Sequence, residues 1–179
     1  LGNFYFEGRI VNKDIQTAIN YYFRAAKQNH PNAQYNIGIM YKQGQYLTKD
    51  INKAIHFLTL SANQNFSLAQ LNLGFIYISE KNINKAIHYF ELSANQNNIN
   101  AQFNLGLIYK DDELGKKDIS KCIHYFTLAA KQNHPDAQYI LGVIYEKEES
   151  IPHDMNKAIH YYTLAANQNY LMAIFNLGR

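Results

Sequence analysis

The chain has 179 residues, 47% of them hydrophobic, with 17 Lys and Arg against 14 Asp and Glu and a formal net charge of +3. That much apolar content can bury a sizeable core in one ordinary domain or one repeat array, and it excludes a disordered chain. The lysines are spread out rather than clustered, so nothing supports nucleic acid; the single cysteine, Cys122, excludes internal disulfides and a cysteine-based zinc cage; and no apolar run reaches the roughly 20 residues of a membrane-inserting helix.

In chain order, a recurring aliphatic–glycine pair sets the frame. Repeats start at Ala33, Ala69, Ala101, Ala137 and Ala173, spaced by 36, 32, 36 and 36 residues. The sequence therefore divides as one array over 1–179: a partial repeat 1–32, full repeats 33–68, 69–100, 101–136 and 137–172, and a partial repeat 173–179. The array is expected to continue past both ends. The lone cysteine weakly fits a reducing compartment and so slightly favours the cytoplasm, but the sequence opens at Leu1 rather than at methionine, which leaves the compartment unknown.

Each repeat reads as two helices. In AQYNIGIMY (33 to 41), a step of about 100° per residue places Ala33, Ile37, Met40 and Tyr41 on one core-facing side. The second helix starts after Asp14, Asp50, Asn82, Asp118 or Asp154, whose short side-chain oxygens suit the unpaired amides of a first turn. Ile51, Ala54, Ile55, Leu58, Ser61 and Ala62 make its buried stripe, with Phe57 at the edge. Asn29, Asn65, Asn97, Asn133 and Asn169 mark helix ends, because asparagine tolerates a left-handed backbone better than other non-glycine residues. Pro31 and Pro135 follow where the first turn of the next helix accepts them. The repeat 69–100 is shorter in its inter-helix loop, YISEKN, and a tighter turn is expected there.

Gly2, Gly38, Gly74, Gly106, Gly142 and Gly178 fall mid-helix, where glycine costs about 1 kcal/mol against alanine. Close approach of a neighbouring helix backbone is the expected reason, since none sits in a strand–turn–helix phosphate context. Cys122 replaces a core alanine and reads as a small buried thiol. His56, His88, His124 and His160 share one repeat position; parallel outward side chains on helices about 8–10 Å apart converge poorly on a metal, so they read as a solvated outer face. Leu60, Leu92, Leu128 and Leu164 lie four residues after them on the same side. This outer face, with His88, Leu92, His124 and Leu128 at its centre, is either a contact patch or a row of shielded leucines.

Small-Q-Y-N-L-G-x-x-Y followed by D-x-x-K-A-x-x-Y-x-x-x-A-A, as in AQFNLGLIY with DISKCIHYFTLAA, resembles the Sel1-like repeat family of the tetratricopeptide-like superfamily. The resemblance covers the whole chain and implies an all-α fold, a right-handed α-α superhelix (solenoid) of helix-turn-helix repeats. It also implies a non-enzymatic scaffold without cofactors, metal or catalytic residues, whose partner is a protein or peptide held on the concave face of the first helices. Carried over position by position, that groove is Tyr35, Ile39 and Lys42; Leu71, Phe75 and Ile78; Phe103, Leu107 and Lys110; and Tyr139, Val143 and Glu146, all expected to be exposed. An alternative is that strong curvature buries Tyr35, Leu71, Phe103 and Tyr139. Asn36, Asn72 and Asn104 run beside the groove as ligand clamps or as structural amides. The runner-up function is a regulatory or targeting segment of a larger enzyme such as a protein kinase. Uncapped ends are expected to expose apolar surface and to allow end-to-end self-association.

Overall fold

Residues 14–179 are described by the structure, a computed structural model. Those residues form α1 (Ile15–Lys27), α2 (Pro31–Gln43), α3 (Ile51–Ala62), α4 (Ser67–Ser79), α5 (Ile83–Ala94), α6 (Ile99–Lys110), α7 (Ile119–Lys131), α8 (Pro135–Lys147), α9 (Met155–Ala166) and α10 (Leu171–Leu177), with no strand among them. Even-numbered helices are the first helices of repeats and odd-numbered ones the second. The described residues divide into two compact halves, with the boundary between Ser93 and Ala94.

The local signals fold as their chemistry dictates. Each second helix is capped by the residue before it: backbone N–H groups of Thr17, Lys53, Lys85, Lys121 and Lys157 donate to Oδ1 of Asp14, Asp50, Asn82, Asp118 and Asp154 at 2.9–3.2 Å. Asn29, Asn65, Asn97, Asn133 and Asn169 all take φ of 59–64°, the left-handed region, one residue type at one place in every repeat. Beyond them the chain closes back on its helix, as where the His134 and Tyr170 amides donate to the Ala129 and Ala165 carbonyls at 3.1 Å. Pro31 and Pro135 sit at the first helical position, where no amide hydrogen is needed. The tight turn is observed as well: residues 80–82 join α4 to α5, whereas 44–50, 111–118 and 148–154 make the same connection elsewhere.

In the N-terminal half, Ala33, Ile37 and Met40 of α2 form one buried cluster with Ala18, Ile19, Tyr22 and Ala26 of α1, and Ala54, Leu58 and Ala62 of α3 are buried as well. In the C-terminal half, Ala101, Leu105 and Ile108 of α6 face Cys122, Phe126 and Ala130 of α7. Here the mid-helix glycines find their reason, and it differs from expectation. A Cβ on Gly38 would lie 2.7 Å from Leu58 Cγ, and on Gly74, Gly106 and Gly142 it would lie 2.5–2.6 Å from the rings of Phe90, Phe126 and Tyr162. Mainly the broad side chain of the paired second helix, more than its backbone, takes the space. Gly178 has no such neighbour, and Gly2 lies outside the described residues.

At the loop end of each helix pair, aromatic rings stack: Tyr41 on Phe57, Tyr77 on Tyr89, Tyr109 on Tyr125 and Tyr145 on Tyr161, at 5.5–6.0 Å and within 13° of parallel. Lys53, Lys85, Lys121 and Lys157 each lie 4.9–5.3 Å from the tyrosine of the first helix, adding a cation to the stack.

The sequence reading missed one set of residues. Gln34, Gln70, Gln102 and Gln138 are 1% exposed, polar groups inside the core. Each Nε2 donates to the carbonyl eight residues back, on Ala26, Ala62, Ala94 and Ala130, at 3.1–3.3 Å. Oε1 of Gln34, Gln102 and Gln138 accepts from Nε2 of Gln64, Gln132 and Gln168 at 2.8 Å. Burial of an amide is costly unless both ends are partnered, and here both are. The helix-end carbonyl, the next first helix and the following helix end are thus tied by one amide.

Candidate partner-binding face

On α2 and α4 the first-helix face of the N-terminal half carries Tyr35, Ile39 and Lys42 beside Leu71, Phe75 and Ile78. Their spacing of three or four residues follows from the 3.6-residue turn. Phe75 is 37% exposed, although its ring edge packs against Phe90 at 5.3 Å. Tyr35, Ile39, Lys42 and Ile78 are half-buried. Leu71 is only 6% exposed and belongs to the core, which corrects its placement on the surface.

Polar groups connect the two helices. Lys42 Nζ donates to Asn72 Oδ1 at 2.8 Å, and Asn72 Nδ2 donates to the Leu68 carbonyl at 2.9 Å. Burial holds the Lys42 ammonium below its ordinary pKa. It pushes the Tyr35 phenol up, while the Asn72 side chain pulls the other way. Tyr35 leans on Phe66 with ring centroids 5.2 Å apart.

In the C-terminal half α6 and α8 present Phe103, Leu107 and Lys110 beside Tyr139, Val143 and Glu146. Leu107 is 38% exposed and Lys110 is also open to solvent, whereas Phe103, Tyr139, Val143 and Glu146 are half-buried. Phe103 stacks on His134, 4.3 Å away and 13° from parallel, and Tyr139 tilts against Tyr170 at 5.1 Å. These two aromatics, with Tyr35, are therefore partly spent on the N-terminal turn of the following first helix and are less available than their position suggested. Glu146 accepts from the Tyr162 hydroxyl at 2.6 Å and lies 3.8 Å from Arg179. Burial, with the Glu146 contact added to it, holds the Tyr162 phenol well above the usual tyrosine range.

The asparagine column is at least partly structural. Asn104 Nδ2 bonds back to the Asn100 carbonyl at 2.7 Å, as Asn72 does to Leu68. Asn36 is half-buried beside Tyr35.

On the second helices His56, His88, His124 and His160 are exposed, each meeting the next ring edge-on, as His88 meets Tyr89 at 5.2 Å. Leu60, Leu92, Leu128 and Leu164 are half-buried rather than an open stripe. Cys122 is buried and free, its thiol pushed up to about 12 by burial. Among the described residues no three His, Cys, Asp or Glu side chains gather in metal-binding range, and no helix is long and apolar enough to cross a membrane.

Comparison with known families places the geometry. The Sel1 repeat model matches residues 1–30, 31–66, 67–98, 99–134 and 135–170, nearly the whole chain. The chain belongs to the Sel1 repeat family. Its fold is the all-α helix–turn–helix repeat fold of that family, within the tetratricopeptide-like superfamily. Among solved structures, the c5321 protective antigen of uropathogenic Escherichia coli, which displays this fold, is 31% identical with a TM-score of 0.87, over 99% of this chain and 39% of its own. This Sel1 repeat chain thus spans well under half the length of that antigen. A Sel1 repeat protein from Oxalobacter formigenes is 32% identical with a TM-score of 0.79, over 99% of this chain and 74% of that one. An immunity protein from Pseudomonas aeruginosa, 17% identical with a TM-score of 0.53 over 93% of this chain and 80% of its own, shares the fold alone. No curated protein matches the chain.

Proposed function

We propose that this chain is a non-enzymatic scaffold that holds a peptide or protein partner on the face of its first helices. One observation carries the proposal. Phe75 and Leu107 occupy the same repeat position and keep more than a third of their surface in water, while the large apolar residues of the neighbouring stripes, Leu73, Phe90, Leu105 and Phe126, are completely buried. Aliphatic and aromatic side chains repeated on an otherwise tightly packed surface are where partner-binding energy concentrates. Membership of a repeat family built around extended faces supports the same reading.

The test is capture from the source cell by the wild-type chain and by Phe75→Glu with Leu107→Glu. A partner identified on the wild type should be lost from the double variant while the helical circular-dichroism spectrum stays the same. Undiminished capture by a fully helical variant would overturn the proposal.

A further inference from the structure

The residue before each first helix is His30, Phe66, Asn98, His134 or Tyr170, and the copies divide two tasks among themselves. Phe66 and Tyr170 lay a ring against Tyr35 and Tyr139 of the preceding first helix, 5.2 and 5.1 Å away, and make no side-chain capping bond. Asn98 has no ring and caps, its Oδ1 accepting from the Ala101 amide at 3.1 Å. His30 is exposed and makes no side-chain capping bond. His134 does both: its ring lies 4.3 Å from that of Phe103 and 13° from parallel, while its Nδ1 accepts from the Ala137 amide at 3.4 Å. Both tasks thus hang on a type of side chain whose charge changes near neutral pH.

A proton on His134 works against both. The capping nitrogen then only donates, so it no longer accepts from Ala137. The ring gains a charge in a half-buried place, where burial lowers its pKa from the ordinary 6.5 by more than the facing carboxylate raises it. From α8 that carboxylate is Asp136, with Oδ2 3.8 Å from Nδ1, but its Oδ1 accepts from the Tyr170 hydroxyl at 3.0 Å. From α6 comes the uncharged Phe103 ring, and the turn before His134 supplies the uncharged Gln132 and Asn133, with Lys131 exposed one residue earlier. Phe103 also rests on Phe126, 5.6 Å away, so it keeps its place when the imidazole leaves.

We propose that His134 is a pH-operated latch on the first-helix face of the C-terminal half: neutral, it covers Phe103 and caps α8; charged, it swings into water and uncovers the ring. Phe103 stands four residues before Leu107 on the same side of α6, and Leu107 is already open to solvent, so acid enlarges the apolar patch. Between the ordinary imidazole pKa and the lowered value of the covered ring, each pH unit of acidification favours the uncovered state by up to about tenfold. The latch goes beyond the scaffold reading, which rests on Phe75 and Leu107 and stands if the latch fails.

Carbon-13 labelling of histidine and phenylalanine in the intact chain lets both rings be followed by NMR from pH 8 to 5, with His134→Asn and Phe103→Leu assigning the signals. At pH 8 a cross-relaxation peak between the two rings and an upfield ring-current shift of His134 are expected. As His134 titrates, the cross-peak should disappear and the Phe103 signals should move with the same midpoint, while the helical circular-dichroism spectrum holds. His134→Tyr, which places here the residue type found at position 170, should keep its ring-to-ring contact across the whole range, with Phe103 signals that no longer follow pH. A cross-peak missing at pH 8, or surviving with His134 charged, would overturn the latch, as would Phe103 signals that stay still in the wild type or still follow pH in His134→Tyr. Loss of the whole helical spectrum at the His134 midpoint would overturn it as well, since unfolding rather than release would then uncover Phe103.

Discussion

At the scale of single residues, the glycines and one histidine show most clearly how context reverses a rule. Alanine in place of a helical glycine normally gains about 1 kcal/mol. At Gly106 the new methyl would press on the Phe126 ring, 2.6 Å from Cδ1 and Cε1, so overpacking should win. Gly106→Ala is expected to destabilise the chain by about 1–3 kcal/mol, read from the urea midpoint. His134 makes a different statement. Its Nδ1 accepts from the Ala137 amide at 3.4 Å, a role open only to the neutral ring, while its face lies on Phe103. Burial lowers its pKa from the ordinary 6.5, with the nearby Asp136 carboxylate opposing. The folded chain thus resists a proton that the unfolded chain accepts. Its contribution to stability is complete above about pH 6.5 and is lost as the pH falls through the lowered folded value. Melting temperatures from pH 8 to 5 should decline less in His134→Asn, which caps the helix without titrating; an unchanged slope would count against this role.

Among the elements, what could be read from the sequence was what chemistry decides within a few residues. The five capping side chains and the five left-handed asparagines were legible because each needs only its own turn to act. That local logic predicts opposite outcomes at one position. Asn65→Gly should leave stability nearly unchanged, whereas Asn65→Val, with a branched Cβ at φ 59°, should lose about 1–2 kcal/mol in the same unfolding measurement. The buried glutamines were illegible for the converse reason. Gln102 has the letter of any surface glutamine, and its burial follows from meeting a carbonyl on the preceding helix and an amide 30 residues later. A polar letter fixed beside the core alanine of each full repeat was the available clue. Groove exposure was only half legible: Phe75 and Leu107 were placed correctly, but Leu71, Tyr35 and Phe103 lose surface to neighbours that no helix wheel contains.

On the scale of the whole chain, repetition makes the incomplete repeat informative. Leu177 stands where Ile37, Leu73, Leu105 and Leu141 are completely buried, yet it is 39% exposed, and Ile174 and Phe175 beside it are more open still. Among the described residues α10 packs against α9, the second helix of the repeat before it, and no second helix of its own repeat follows it. The chain by itself should therefore associate as its concentration rises, and Phe175→Lys with Leu177→Lys should keep it monomeric in sedimentation velocity. A wild type that stays monomeric throughout would remove that expectation. The amide ties have a consequence of another kind. In the 36-residue repeats the donor and acceptor always stand at the same offsets, eight residues back and 30 residues on. A gene that copies one such stretch in frame also copies both halves of each connection, so the new piece arrives already fitted to its neighbours. Growth or shrinkage of the protein by whole repeats then requires no invention of contacts, only a change in number.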